Sequence, residues 1–220
     1  MNDENRAKCA ARDRASDDAM QSTGTEMEPR HHVFVISDLH LGGAAATDDN
    51  PGFQMCSVKA RRRLARFLHQ LIAWASELES GASVELVING DLVDFLAEEP
   101  FEAFTSCSEN AVSKLRSIAR TCDEDSAPEE KVFPALRQFV KEGHQLTILL
   151  GNHDIELALP DVRRALLELL SGGEAARIQF LLDGEAYVLG DVLIEHGNRY
   201  DRWNALNFNG LREERSHISR

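Results

Sequence analysis

Residues 33–43 read VFVISDLHLGG. A β-branched and aromatic run, the composition of a buried strand, stops on Asp38 and His40. A carboxylate and an imidazole beside a core are costly unless something pairs with them. The same arrangement returns three times downstream. VELVIN (84–89) leads into Gly90, Asp91 and Asp94, and LTILL (146–150) leads into Gly151, Asn152, His153 and Asp154. VLIE (192–195) leads into His196, Gly197 and Asn198. Ligands of α/β sheets sit beyond the carboxyl ends of the strands. Neighbouring parallel strands would therefore gather all four polar clusters on one edge.

Helical patterns separate these runs. Leu64, Phe67, Leu68, Leu71, Ile72, Ala75 and Leu78 recur at helical spacing between Ser57, a suitable N-cap, and Gly81, a suitable stop. Residues 110–121 place Val112, Leu115, Ile118 and Ala119 on one face, and a further helix is expected over 133–141. Pro160 opens another, with Val162, Ala165, Leu166, Leu169 and Leu170 inward. Residues 177–197 read as consecutive short strands turned at Asp183-Gly184 and Gly190-Asp191, and the stretch from Tyr200 reads as helical. The order of elements is that of a layered α/β fold.

Composition bounds the function. The chain has 220 residues, with 24 Lys and Arg against 37 Asp and Glu, for a net charge of −13. Such a chain is poorly suited to tracking nucleic-acid phosphates by bulk electrostatics. Cys9, Cys56, Cys107 and Cys122 form no CxxC pair and read as free thiols of a reducing compartment. No apolar run reaches spanning length, and the N-terminus lacks the apolar core of a secretory signal, so the cytoplasm is the default expectation. Residues 1–30 read as a disordered tail and 31–220 as the folded domain, with 95–130 as a candidate cap or insert.

Asp, His, Asp, Asn and His on one edge form an oxygen and nitrogen donor set for divalent metals. One carboxylate between two cations can bridge them, as two-metal phosphoryl-transfer sites require. By average residue frequencies, G-N-H alone occurs in about one chain in a hundred of this length. Its ordered occurrence with D-x-H and G-D-x-x-D, each behind an apolar run, argues against accident.

The series DLH…GDLVD…GNHD…EHG resembles the calcineurin-like metallophosphoesterase superfamily, over positions 33 to about 201. The resemblance implies a four-layer α/β/β/α sandwich of mixed sheets with a dinuclear site on one edge. It implies that Asp38 and His40 hold a first metal, that Asp91 bridges, and that Asn152 and His196 hold a second. Asn152 and His153 would contact the phosphate, His153 would protonate the leaving oxygen, and Asp154 would orient His153 and keep it protonated. A metal-bridging hydroxide would attack phosphorus in line. The implied cofactors are two divalent ions, Mn²⁺ first, with Fe, Zn, Ni or Co as alternatives. The implied partner is a small phosphorylated substrate: a phosphomonoester, phosphodiester or pyrophosphate.

The sequence departs from that pattern in lacking the G-H-x-H that usually closes it. His217 is the one histidine after His196; His31 and His32 lie at the far end of the first strand, and His69 and His144 read as ordinary boundary residues. The expectation is a domain incomplete at its C-terminus, with a shortened second sheet and weakened activity. GDLVDFLAEE and Asp154 differ from the protein Ser/Thr phosphatase pattern. FVISDLHLG and IEHGNRYD are closer to bacterial phosphodiesterase and UDP-2,3-diacylglucosamine diphosphatase branches, which often carry Arg at the position of His153. A non-catalytic scaffold of the same fold and a DNA nuclease of the same superfamily are the alternatives.

Arg199 is a candidate phosphate ligand, with an ion pair to Asp201 or another acid as the plainer reading. Tyr200, Asn204 and Asn207 are candidate supports. Arg61, Arg62, Arg63 and Arg66 suit peripheral contact with phosphates or a lipid surface, or simply a solvated helix face. The loop 42–56 is placed to shape substrate entry. Oligomeric state stays open.

Overall fold

The computed structural model describes residues 30–44, 52–124 and 126–218, the side chains of 214–218 excepted. The tail, the middle of the loop 42–56 and the side chain of His217 lie outside the described residues.

Four strands, β1 (His31–Ile36), β2 (Ser83–Asn89), β3 (Gln145–Leu149) and β4 (Ile178–Leu181), form one sheet in sequence order. Every pairing in it is parallel. One face packs on helices and the other is covered in part by a second sheet, which is why the strands read as nearly continuous apolar runs. Phe34, Ile36, Leu86, Ile88, Leu146 and Ile148 point into the helical core. Alternate residues Val33, Val87, Leu149 and Leu181 point the other way.

The helices are α1 (Val58–Ser76), α2 (Ser108–Asp123), α3 (Val132–Lys141) and α4 (Pro160–Leu170). Ser57 caps α1 by accepting the Ala60 N–H at 3.3 Å. Ala65, Leu68 and Leu71 line its buried stripe, whereas Arg61, read from sequence with a solvated cluster, is itself buried. The helix α2 occupies much of the stretch read as a cap, and it buries Ala111, Leu115 and Ile118 in the core.

Two sequence expectations need correction. The strands after residue 177 are consecutive and short as expected, but VLIE does not lie parallel beside the other three runs. The strand β4 completes the parallel sheet, while β5 (Tyr187–Leu189) and β6 (Val192–Ile194) pair antiparallel in a separate sheet. Tyr187 and Ile194 pack that hairpin onto the bare face of the main sheet, and Val188 and Leu193 face outward and exposed. The described layers are thus helices, sheet and sheet. The second correction concerns the C-terminal helix, α5, which spans Phe208–Ile218 and starts eight residues later than Tyr200. The Asp201 carboxylate accepts from Trp203 N at 3.0 Å and from Asn204 Nδ2 at 2.6 Å, a local turn that competes with helix.

A buried carboxylate joins the layers. Glu85 faces the second sheet and accepts from Thr147 Oγ1 at 2.5 Å and from the Tyr187 hydroxyl at 2.9 Å. His31 Nε2 lies 3.0 Å from the same carboxylate. His31 thus serves the end of the sheet opposite to Asp38.

Candidate metal centre

The edge beyond β1, β2 and β3 is built from three short turns held in register by backbone hydrogen bonds. His40 N donates to Asp91 O at 2.9 Å, Leu41 N to Leu92 O at 3.0 Å, and Phe95 N to His153 O at 3.0 Å. Asp38, His40 and Asp91 have φ of 55°, 44° and 53°, and they are the positive-φ non-glycine residues among the described residues. That backbone region is sparsely populated by side-chain-bearing residues, and such strain gathers at functional sites.

Two glycines make room. Gly90 has φ 81°, and a Cβ there would meet His196 Nδ1 at 2.5 Å. A Cβ on Gly151 would collide with the Asp91 carboxylate and amide nitrogen. The backbone of one turn therefore lies against the central acid of the next.

Asp91 sits at the centre, buried. Its Oδ1 accepts the His153 N–H at 2.8 Å. Its Oδ2 lies 3.3 Å from His196 Nε2 and 3.6 Å from His40 Nε2. Two groups of potential ligand atoms each fall within 4.8 Å: His40, Asp91 and His153, and Asp38, Asp91 and His196. Asp91 belongs to both. Asn152 Oδ1 lies 3.4 Å from His196 Nε2 and joins the second group. The division differs from the sequence expectation. Asp38 stands with His196 rather than with His40, and His153 stands beside His40, their rings edge to face at 4.5 Å.

The partner of His153 also differs. Asp94 Oδ1 lies 3.0 Å from His153 Nδ1. Asp154, adjacent in sequence, is 0% exposed and turned inward, accepting Leu92 N and Gly151 N at 2.8 Å each. It braces the turns instead of orienting the ring. Sequence reasoning put Asp94 on this edge but gave it no role. The signal was the G-D-x-x-D spacing, which returns a second carboxylate to the same turn.

The charges follow this geometry. Burial pushes the Asp94 carboxyl up, but the His153 hydrogen bond and the His40 ring outweigh burial and hold it well below the usual range. Asp91 is also lowered, burial being outweighed by His196 and the His153 N–H. The hydrogen bond to Asp91 lifts His196 to about 9 against burial, and Asp94 lifts His153 in the same way. Burial, followed by repulsion from Asp91, raises Asp154 to about 7.

These residues fit divalent ions. The donors are imidazole nitrogens and carboxylate oxygens, the set borderline metals prefer. His40 Nδ1 and Asp94 Oδ2 lie 3.3 Å apart but are misaligned, and both are buried without a hydrogen-bond partner among the described residues. His196 Nδ1 meets the Asn89 carbonyl at 2.8 Å, which leaves Nε2 facing Asp91.

Arg199 pairs with Glu195 at 3.3 Å rather than with Asp201, and Tyr200 donates to the same Glu195. Asn204 lends its carbonyl to Asn198 Nδ2 at 3.3 Å, and Asn207 caps the start of α5. His69 and His144 lie on α1 and beside β3, and His144 packs on Phe139.

The profile of the family described as calcineurin-like phosphoesterase matches residues 31–218, and the chain belongs to that family. No curated protein and no solved structure matches the chain. Among the described residues, no helix is long and apolar enough to cross a membrane.

Proposed function

We propose that this protein hydrolyses a phosphoester at a dinuclear metal site on the sheet edge. The observation that carries the reading is Asp91, whose carboxylate is common to both ligand groups. His40 would hold one ion with Asp91, with His153 beside it as the acid and not as a ligand; Asp38, His196 and Asn152 would hold the other. Mn²⁺ is the first candidate. When bound, divalent ions supply Lewis acidity and neutralise charge on the phosphoryl oxygens.

The chain's own residues supply the rest. Asp94 keeps His153 protonated beside the site, so His153 can give a proton to a departing oxygen. Asp154 fixes the Leu92 and Gly151 turns and so holds Asp91 against His153 N. Asn152 would also contact the phosphate, and Arg199 would do so on leaving Glu195. The loop 95–107, attached through Phe95 to the His153 carbonyl, would form the nearer part of a cap. The exposed outer face of β5 and β6 supports the four-layer reading, in which a helical layer covers Val188 and Leu193.

The test is turnover of an aryl phosphomonoester and an aryl phosphodiester with and without added Mn²⁺. Metal-dependent hydrolysis that disappears in Asp91→Ala is the expected result. Hydrolysis indifferent to both changes, or none with any divalent ion, would reject the proposal.

A further inference from the structure

The helix α1 carries five Lys and Arg residues and no acid, in a chain whose net charge is −13. Lys59, Arg62, Arg63 and Arg66 repeat at i, i+3, i+4 and i+7, one outward stripe, and line a shallow surface depression with Val58. They sit in the first turns of the helix, where the macrodipole favours acids. Stability alone would select the opposite charge. Arg62 and Arg66 share Glu130, at 3.0 and 2.6 Å, whereas Lys59 and Arg63 make no ion pair among the described residues.

Apolar side chains stand at the head of this stripe. Phe53 is 56% exposed and Met55 is 53% exposed, and Val58 is exposed beside them. They lie on the catalytic side of the molecule, because α1 leaves from the same edge at which β1 ends. A short chain of hydrogen bonds makes the connection. Phe53 N donates to Ala44 O at 2.8 Å, Ala44 N to Ala97 O at 2.9 Å, and Ala97 N to Asp94 Oδ1 at 3.1 Å.

We propose that this shoulder docks the protein on an anionic lipid surface, with Lys59, Arg62, Arg63 and Arg66 against headgroup phosphates and Phe53, Met55 and Val58 inserted at the acyl boundary. A cationic stripe joined to exposed apolar side chains has the chemistry of peripheral membrane binding. Nucleic acid would use the same cations and could stack on Phe53, but Met55 and Val58 offer it neither a stacking face nor a hydrogen bond, whereas an acyl boundary takes all three. Docking here would present the candidate metal centre beside the membrane plane.

Co-sedimentation with phosphatidylcholine vesicles, with and without phosphatidylglycerol, tests this without reference to turnover. Binding is expected on the anionic vesicles and should fall with added salt. The double substitution Lys59→Glu, Arg63→Glu should weaken it at least about thirtyfold, since each cation near such a surface contributes about a fivefold factor. The same double variant should melt at an unchanged or higher temperature, because acids suit the start of a helix. Phe53→Ser with Met55→Ser should weaken binding further at high salt. Equal affinity for neutral and anionic vesicles, or wild-type affinity in the charge-reversed variant, would overturn the proposal. So would duplex DNA binding that the charge reversal abolishes, if vesicle binding is absent.

Discussion

His153 and Asp94 face each other at 3.0 Å across the two turns that follow β2 and β3, and that contact raises the imidazole's proton affinity. Asp94→Asn keeps the shape and removes the charge. Turnover should fall by about a hundredfold, the usual contribution of a positioned acid. Without the carboxylate the His153 pKa drops, so the alkaline limb of the rate profile should move to lower pH. The loss will be larger at pH 8 than at pH 6. A pH–rate series on both proteins measures this.

Asp91→Ala removes the one carboxylate common to both ligand groups. It should abolish retention of both ions, whereas Asp38→Ala should weaken one group and leave His40, Asp91 and His153 in place. Metal content after desalting, and calorimetric titration with Mn²⁺, distinguish the two variants.

Gly151→Ala places a methyl against the Asp91 carboxylate and backbone, neither of which is the free end of a flexible chain. Overpacking of this kind costs about 1–3 kcal/mol. The variant should stay folded, melt lower and bind Mn²⁺ more weakly than wild type. Circular dichroism with a metal titration follows both effects.

Glu156 offers a stability test away from the ligands. It is fully buried, Oε1 accepts Thr105 N at 2.8 Å, and Oε2 has no hydrogen-bond partner among the described residues. Burial, the largest influence, raises its pKa. An acid raised by folding adds no penalty while protonated in both states. The penalty grows as pH climbs past the unfolded value and is complete above the folded one. Glu156→Gln retains the acceptor and removes the charge. It should match wild type near pH 4 and exceed it in urea midpoint at pH 8.

The parallel sheet was legible because three strands are short apolar runs, each ending in glycine or polar residues and separated by helical repeats. The convergence of Asp38, His40, Asp91, Asn152 and His153 was legible for the same reason, because polar residues directly beyond neighbouring buried strands meet; His196 instead follows the mostly exposed β6. Pairings within the cluster were not. Asp154 follows His153 in sequence, yet adjacent side chains of a turn diverge, and Asp154 went to the backbone while Asp94 took the ring. The second sheet was expected from the resemblance alone, because β5 and β6 have three residues each, too few for a period to distinguish a new sheet from an extension of the old one.

His196 comes to the edge from β6, while the other candidate ligands come from the main sheet. The Asn89 side chain holds the neighbouring Glu195 carbonyl at 3.0 Å, and the Glu85–Tyr187 contact anchors the far strand of the hairpin. An ion between Asp91 and His196 would therefore act as a rivet through two layers. Its binding and the docking of the small hairpin are linked, so each strengthens the other by the same coupling free energy.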